Sequence, residues 1–154
     1  MSVGRLCVRE VDTASPEEPV LFAAERMHQR AVGSLVVVNE TAQPVGIVTD
    51  RDLVSRVMAK GRSPTDTFVG EVMTPAPRTV TEQTSIESAL SIMRSGRFRR
   101  IPVVDHDHKL VGLVTLDDVL MLLAEELTNI GQLLERETPR GVIEEQESST
   151  STVA

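Results

Sequence analysis

Val45-Gly46-Ile47-Val48-Thr49-Asp50-Arg51-Asp52 and Val111-Gly112-Leu113-Val114-Thr115-Leu116-Asp117-Asp118 are two versions of one octapeptide, 66 residues apart as Gly46 and Gly112 show. The same offset places Val37-Val38 on Val103-Val104, Met27 on Met93 and Ala23 on Ala89, so the similarity runs through most of each half. An internal repeat of this length is one supersecondary unit copied once, and it decides the fold before any single motif does.

Each half carries the same local signals in the same order. In the first, Pro19 to Gln29 has helical spacing at Val20, Leu21, Ala24 and Met27, with Ser15-Pro16-Glu17-Glu18 before it offering cap and acidic residues. Leu35 to Val38 and Val45 to Thr49 are β-branched runs joined by a turn-like stretch, which predicts a hairpin. Asp50 opens a further helix that runs to about Lys60 and stops at Gly61. The second half predicts a short strand near Arg78 to Val80, a helix from Ser85 to Arg94, strands at Ile101 to Val104 and Leu110 to Thr115, and a helix from Leu116. The fold class is therefore α+β, two β-α-β-β-α repeats packed about a pseudo-two-fold axis. Its expected parts are a first repeat at 1–61, a Pro- and Gly-punctuated linker at 62–75, a second repeat at 76–136 and a disordered acidic tail at 137–154.

The last helix is expected to run to more than twice the length of its counterpart, with Leu116, Val119, Leu120, Leu123, Leu127, Ile130 and Leu134 in register. A stripe of that length needs a cover, and a homodimer contact is the expectation.

Composition bounds the function. The 154 residues hold 23 acids against 16 bases, a net charge of −7, and three Phe are the only aromatics. Nucleic-acid binding, which needs a cationic face and stacking platforms, is not expected. The single Cys7 forms no internal disulfide and is expected to pack as a small apolar group. The first residues lack the basic start and apolar run of a secretory signal, and no stretch reaches the ~18–20 apolar residues of a membrane span. The expectation is a cytoplasmic protein without membrane contact.

The chemistry lies in Gly-x-Val-Thr-x-x-Asp at a strand-to-helix junction. Unpaired amides and the positive end of the helix dipole suit a phosphate there, and the Thr49 or Thr115 hydroxyl adds a donor. One turn on, Asp52 or Asp118 is placed to accept from the vicinal hydroxyls of a ribose. The competing reading is a capping box, Thr followed three residues later by an acid, and the two roles are compatible.

This order of elements, ending in residues 46–52 and 112–118, resembles the cystathionine β-synthase (CBS) domain, and Arg100-Ile101-Pro102-Val103-Val104 resembles that family's strand start. The resemblance covers roughly residues 5 to 127. It implies a paired, stand-alone Bateman module that senses rather than catalyses; the long last helix leaves a ligand-independent dimerisation scaffold as the alternative, and the paired acids a nucleotide-processing enzyme as a third. The implied ligand is an adenosine compound such as AMP, ADP, ATP or S-adenosylmethionine, held in the clefts between repeats, with no required cofactor and with a downstream protein that reads the change. By the same resemblance Thr49, Asp50 and Asp52 serve one cleft and Thr115 and Asp118 the other, while Val11, Val80, Leu35 and Ile101 flank the adenine.

The halves differ where phosphate would be held. The second has Arg97, Arg99 and Arg100 before its hairpin, where the first has Ala31, Gly33 and Ser34. Arginine is the preferred partner of phosphate oxygens, so the cleft pairing Asp52 with Arg99 and Arg100 is expected to take the charged ligand. Repeat one also has Val36 in place of Pro102. Asp105-His106-Asp107-His108 contains metal-ligand residue types, but its place in a hairpin turn predicts a solvated loop. Asp50, Asp52, Asp117 and Asp118 at helix starts suit capping better than acid/base catalysis, and His28 has no nucleophile to activate.

Overall fold

The computed structural model describes residues 1–137, in a body, Met1–Val119, and a second unit beginning at Leu120. In the body, strand β1 (Thr13–Ala14), helix α1 (Val20–Arg30), strands β2 (Ser34–Val38) and β3 (Pro44–Thr49), and helix α2 (Asp50–Asp52, continuing as a π-helical turn Leu53–Met58) form the first repeat. Helix α3 (Val69–Val72) and strand β4 (Thr74–Pro75) follow, then helix α4 (Ile86–Gly96), strands β5 (Arg100–Val104) and β6 (Leu110–Thr115), and helix α5 (Leu116–Glu137). Mixed α+β architecture and the two predicted hairpins are present. The tail expected at 137–154 lies outside the described residues apart from Glu137, the end of α5.

The register repeats with the sequence. Val37 pairs with Gly46 and Val103 with Gly112, and each hairpin shifts register at its last pair, Val37/Val38 or Val103/Val104. The first sheet has the order β1-β2-β3-β4, with β1 parallel to β2. The second is β5-β6, flanked by single bridges from Val80, parallel to Val103, and from Val8, antiparallel to Leu113. The strand expected near Arg78 to Val80 is thus one bridge long.

Each hairpin faces its own core. Leu35, Val37 and Val48 join Ala23 and Met27 of α1 in the first; Ile101, Val103 and Val114 join Ala89 and Met93 of α4 in the second. Val36 and Pro102, on the other faces of β2 and β5, are buried as well. Strands covered on both faces read as continuous apolar runs, and each such side chain contributes roughly 1.5–3 kcal/mol through burial.

The start of α1 differs from expectation, while that of α4 does not. Pro19, not Ser15, precedes α1 as its cap, without a side-chain bond; the Val20 amide donates to the Thr67 carbonyl, while Glu18 holds Arg26. For α4, Ser85 does cap, accepting from the Ser88 amide.

The cores are built by crossed segments. Val3 and Cys7 lie in the second core, whereas Val69 and Val72, 66 residues after Val3 and Leu6, lie in the first. The bonding is equivalent: Val3 and Gly4 amides donate to Thr84 and Glu82 carbonyls at 2.8 and 2.9 Å, and Val69 and Gly70 amides to Glu18 and Pro16 carbonyls at 2.9 Å. Val69, Val72 and Met73, inside the stretch expected as a linker at 62–75, therefore pack with the first core, and Val3 and Cys7 with the second. This arrangement explains the motif glycines. A Cβ on Gly46 would collide with the Met73 side chain, and one on Gly112 would lie 3.0 Å from the Cys7 sulfur. Burial pushes the Cys7 thiol above its ordinary pKa, consistent with a packing role.

Candidate functional site

At both strand-to-helix junctions the Thr and Asp of the motif bind each other. The Thr49 amide and hydroxyl donate to Asp52 Oδ2 at 2.9 and 3.0 Å, and the Asp52 amide donates back to Thr49 Oγ1 at 3.2 Å. Thr115 and Asp118 repeat this at 2.8, 2.7 and 3.2 Å. Each is a complete capping box, satisfying donors that a helix start leaves unpaired. A hydroxyl has one proton, and in both motifs it is spent on the aspartate. The threonines therefore position the carboxylates instead of offering a phosphate donor. Among the described residues Asp52 Oδ1 meets only the Arg56 Nε, at 3.6 Å, which leaves lone pairs on that oxygen for a ligand.

A cavity of about 630 Å³ opens beside the first of these boxes, within the usual range for small-molecule sites. Repeat one supplies Ile47 and Thr49 through Asp52, the connection supplies Thr74 through Arg78, and repeat two supplies Arg97 through Arg100. Thr49, Asp50, Asp52, Arg99 and Arg100 thus share one cleft. Local geometry sets these positions. Arg97 ends α4 in the left-handed conformation (φ 56°), and the Leu116 amide donates to the Arg99 carbonyl at 2.8 Å, fixing the approach to β5. Asp50 Oδ1 accepts from the Arg51 amide at 2.8 Å.

Other expected residues lie elsewhere. Leu35, Val80 and Ile101 are buried in the cores at 1%, 6% and 0% exposure and do not line the cavity. Its apolar wall is Ile47, Pro75, Ala76, Pro77 and Phe98. Val11 lines a second cavity of about 590 Å³, a polar one containing Asp12, Glu17, Glu18 and Arg26. Thr115 and Asp118 line neither. The sequence reading missed Arg51 and Arg78, although the signal existed: Thr74 and Pro75 align at the repeat offset with Val8 and Arg9, on the edge of the other hairpin.

The arginines of the cleft stand apart from the ion pairs of the described residues. Among the described residues, no carboxylate lies within ion-pair distance of Arg51, Arg78, Arg97, Arg99 or Arg100, although other arginines here do find acids, as Arg26 does with Glu18 and Arg62 with Glu71. The Asp105-His106-Asp107 loop brings ligand-type atoms within 4.8 Å of one another, but its bonds are those of a turn. Asp105 Oδ1 accepts from the Lys109 and Asp107 amides, and the Lys109 amide above all holds that carboxyl below the usual carboxylate range. No helix among the described residues is long and apolar enough to cross a membrane.

Comparison with known proteins agrees with this architecture. A protein of Methanopyrus kandleri is 38% identical over 122 residues, 79% of this chain, and this chain spans 62% of its length. Hypoxic response protein 1 of Mycobacterium tuberculosis is 32% identical over 125 residues, 81% of this chain and 82% of that protein. Among solved structures, CBSX2 of Arabidopsis thaliana in complex with AMP superimposes with a TM-score of 0.69 at 29% identity, covering 80% of this chain and 96% of that one. The CBS domain model matches twice, at residues 3–59 and 69–125, each match beginning at one of the crossed segments, and the chain belongs to the CBS domain family.

Proposed function

We propose that this protein is a regulatory sensing module that binds an adenosine-containing nucleotide in the cleft between its repeats and signals to a partner protein through the resulting change in their arrangement. The observation that carries this reading is the single cavity that joins the capped Asp52 carboxylate to arginines of the other repeat. Asp52 Oδ1 accepts from the ribose hydroxyls, the apolar wall around Pro77 and Phe98 covers the base, and the arginines take the phosphate. Because the lining comes from both repeats and from their connection, a ligand there favours one relative arrangement, which is what a partner can read. The CBSX2 complex with AMP supports the ligand class by similarity. No catalytic step is assigned: Asp50 and Asp52 are engaged with backbone amides at a helix start.

Thermal melts with AMP, ADP, ATP, adenosine and S-adenosylmethionine test this. A true ligand at 100 times its Kd stabilises by about 2.7 kcal/mol and is recovered unchanged. Absence of any shift with all five, or recovery of a converted product, would refute the sensing role.

A second element of the reading is self-association. Leu120, Leu123, Leu127 and Ile130 of α5 are all more than half exposed, Leu127 by 69%, at alternating three- and four-residue spacing. That spacing is the seam of a coiled pair, and a second copy supplies the matching helix. Sedimentation should give a dimer and the Leu123→Glu/Leu127→Glu double variant a monomer; an unchanged sedimentation coefficient in the variant counts against it.

A further inference from the structure

The arginines of the cleft carry more charge than a nucleoside monophosphate can answer. Five line it, Arg51, Arg78, Arg97, Arg99 and Arg100, against two aspartates, and none of the five has an ion-pair partner among the described residues. In a chain of net charge −7 this is the reverse of what random placement of charge gives, and it crowds five like charges beside two carboxylates. Three of them lie close together, Arg97 and Arg99 on the short approach to β5 and Arg100 at its first position, and Arg78 comes from the connection. Guanidinium groups spread over several elements match a chain of phosphates better than one.

The pseudo-symmetric positions carry the opposite pattern. Sixty-six residues away, Arg51 becomes Asp117, Arg78 becomes Asp12, and Arg97, Arg99 and Arg100 become Ala31, Gly33 and Ser34. Asp12 is already paired with Arg30 at 2.8 Å. The capping box that presents Asp118 is intact, yet each arginine of the first cleft is matched here by a neutral or acidic residue.

We infer that the cleft beside Asp52 selects a nucleoside di- or triphosphate over the monophosphate or an uncharged or cationic adenosine compound, and that each chain takes one such ligand. This rests on the sensing reading above and adds phosphate count and stoichiometry to it. The adenosine end is held by Asp52 and the apolar wall; the terminal phosphates are held by the arginines, through charge-assisted and bidentate bonds.

Titration calorimetry of the full chain with ATP, ADP, AMP, adenosine and inorganic tripolyphosphate tests it. ATP and ADP should bind at least about tenfold more tightly than AMP, with one site per chain, since a hydrogen bond to a charged group is worth that factor or more. The Arg78→Gln/Arg97→Gln variant, changed only at exposed positions, should lose most of the ATP-over-AMP ratio while melting normally without ligand. Equal affinity for AMP and ATP, or two equivalent ATP sites per chain, overturns the inference and leaves the sensing reading standing. Tripolyphosphate binding as tightly as ATP, with no contribution from adenosine, keeps the charge selectivity and removes the nucleoside from both readings.

Discussion

Asp52→Ala should weaken binding of a phosphorylated adenosine ligand by at least about tenfold, whereas Asp118→Ala should change it by less than about threefold. The first substitution removes the acceptor for two ribose hydroxyls, and hydrogen bonds to a charged group contribute about 1.5–3 kcal/mol each. The second removes the same side chain from a junction whose phosphate-holding positions are Asp12, Ala31, Gly33 and Ser34. The pair controls for stability within one experiment. Both aspartates complete capping boxes with nearly the same bond lengths, so both variants should lose about 1 kcal/mol of unligated stability. Calorimetric affinity set beside the unligated Tm separates the two effects. Equal losses of affinity in both variants would mean that the acids act only through the fold.

Leu35→Ala should lower the unfolding free energy by about 3 kcal/mol, and Ile101→Ala by a similar amount. Each side chain is essentially inaccessible, 1% and 0% exposed, in the centre of one of the two cores, and truncation there costs the transfer of the lost atoms plus the cavity left behind. The corresponding fall in Tm is on the order of 10 °C for a chain of this size. The folded fraction should bind nucleotide with unaltered affinity, because neither residue lines the cleft. A variant of normal stability with lost affinity would restore these residues to the adenine wall, where the family resemblance alone places them.

Comparing those two outcomes shows what the sequence carries. Strands at 101–104 and 110–115, and the helix from Leu116, are legible because they follow from short-range periodicity and from being written twice. The meeting of Asp52 with Arg99 and Arg100 is legible for a different reason: a duplicated unit packed about a two-fold must set the end of one hairpin against the start of the other. The apolar wall of the cleft is not legible. Leu35 and Ile101 look like a wall because they stand at the starts of apolar strands, but those strands are covered on both faces, as Val36 and Pro102 show. The residues that do line the cleft's apolar side include Pro75, Ala76 and Pro77, which read as a connector by composition; Ala76 takes a left-handed conformation (φ 49°) that local sequence does not announce. Nor does periodicity reveal that Thr49 spends its proton on Asp52, since that depends on a bond geometry rather than on residue type.

The crossing of Val3–Cys7 and Val69–Met73 means that the unit that was duplicated is not the unit that folds. Divided between the tandem copies, the chain would yield two fragments, each lacking the piece that closes its own core and each carrying the piece that closes the other's. Covalent continuity turns what would be an exchange between two molecules into an intramolecular closure, at the high effective concentration that a short tether provides. The two halves are therefore expected to gain and lose their structure together, as one cooperative transition, and a ligand that grips one half is felt by both.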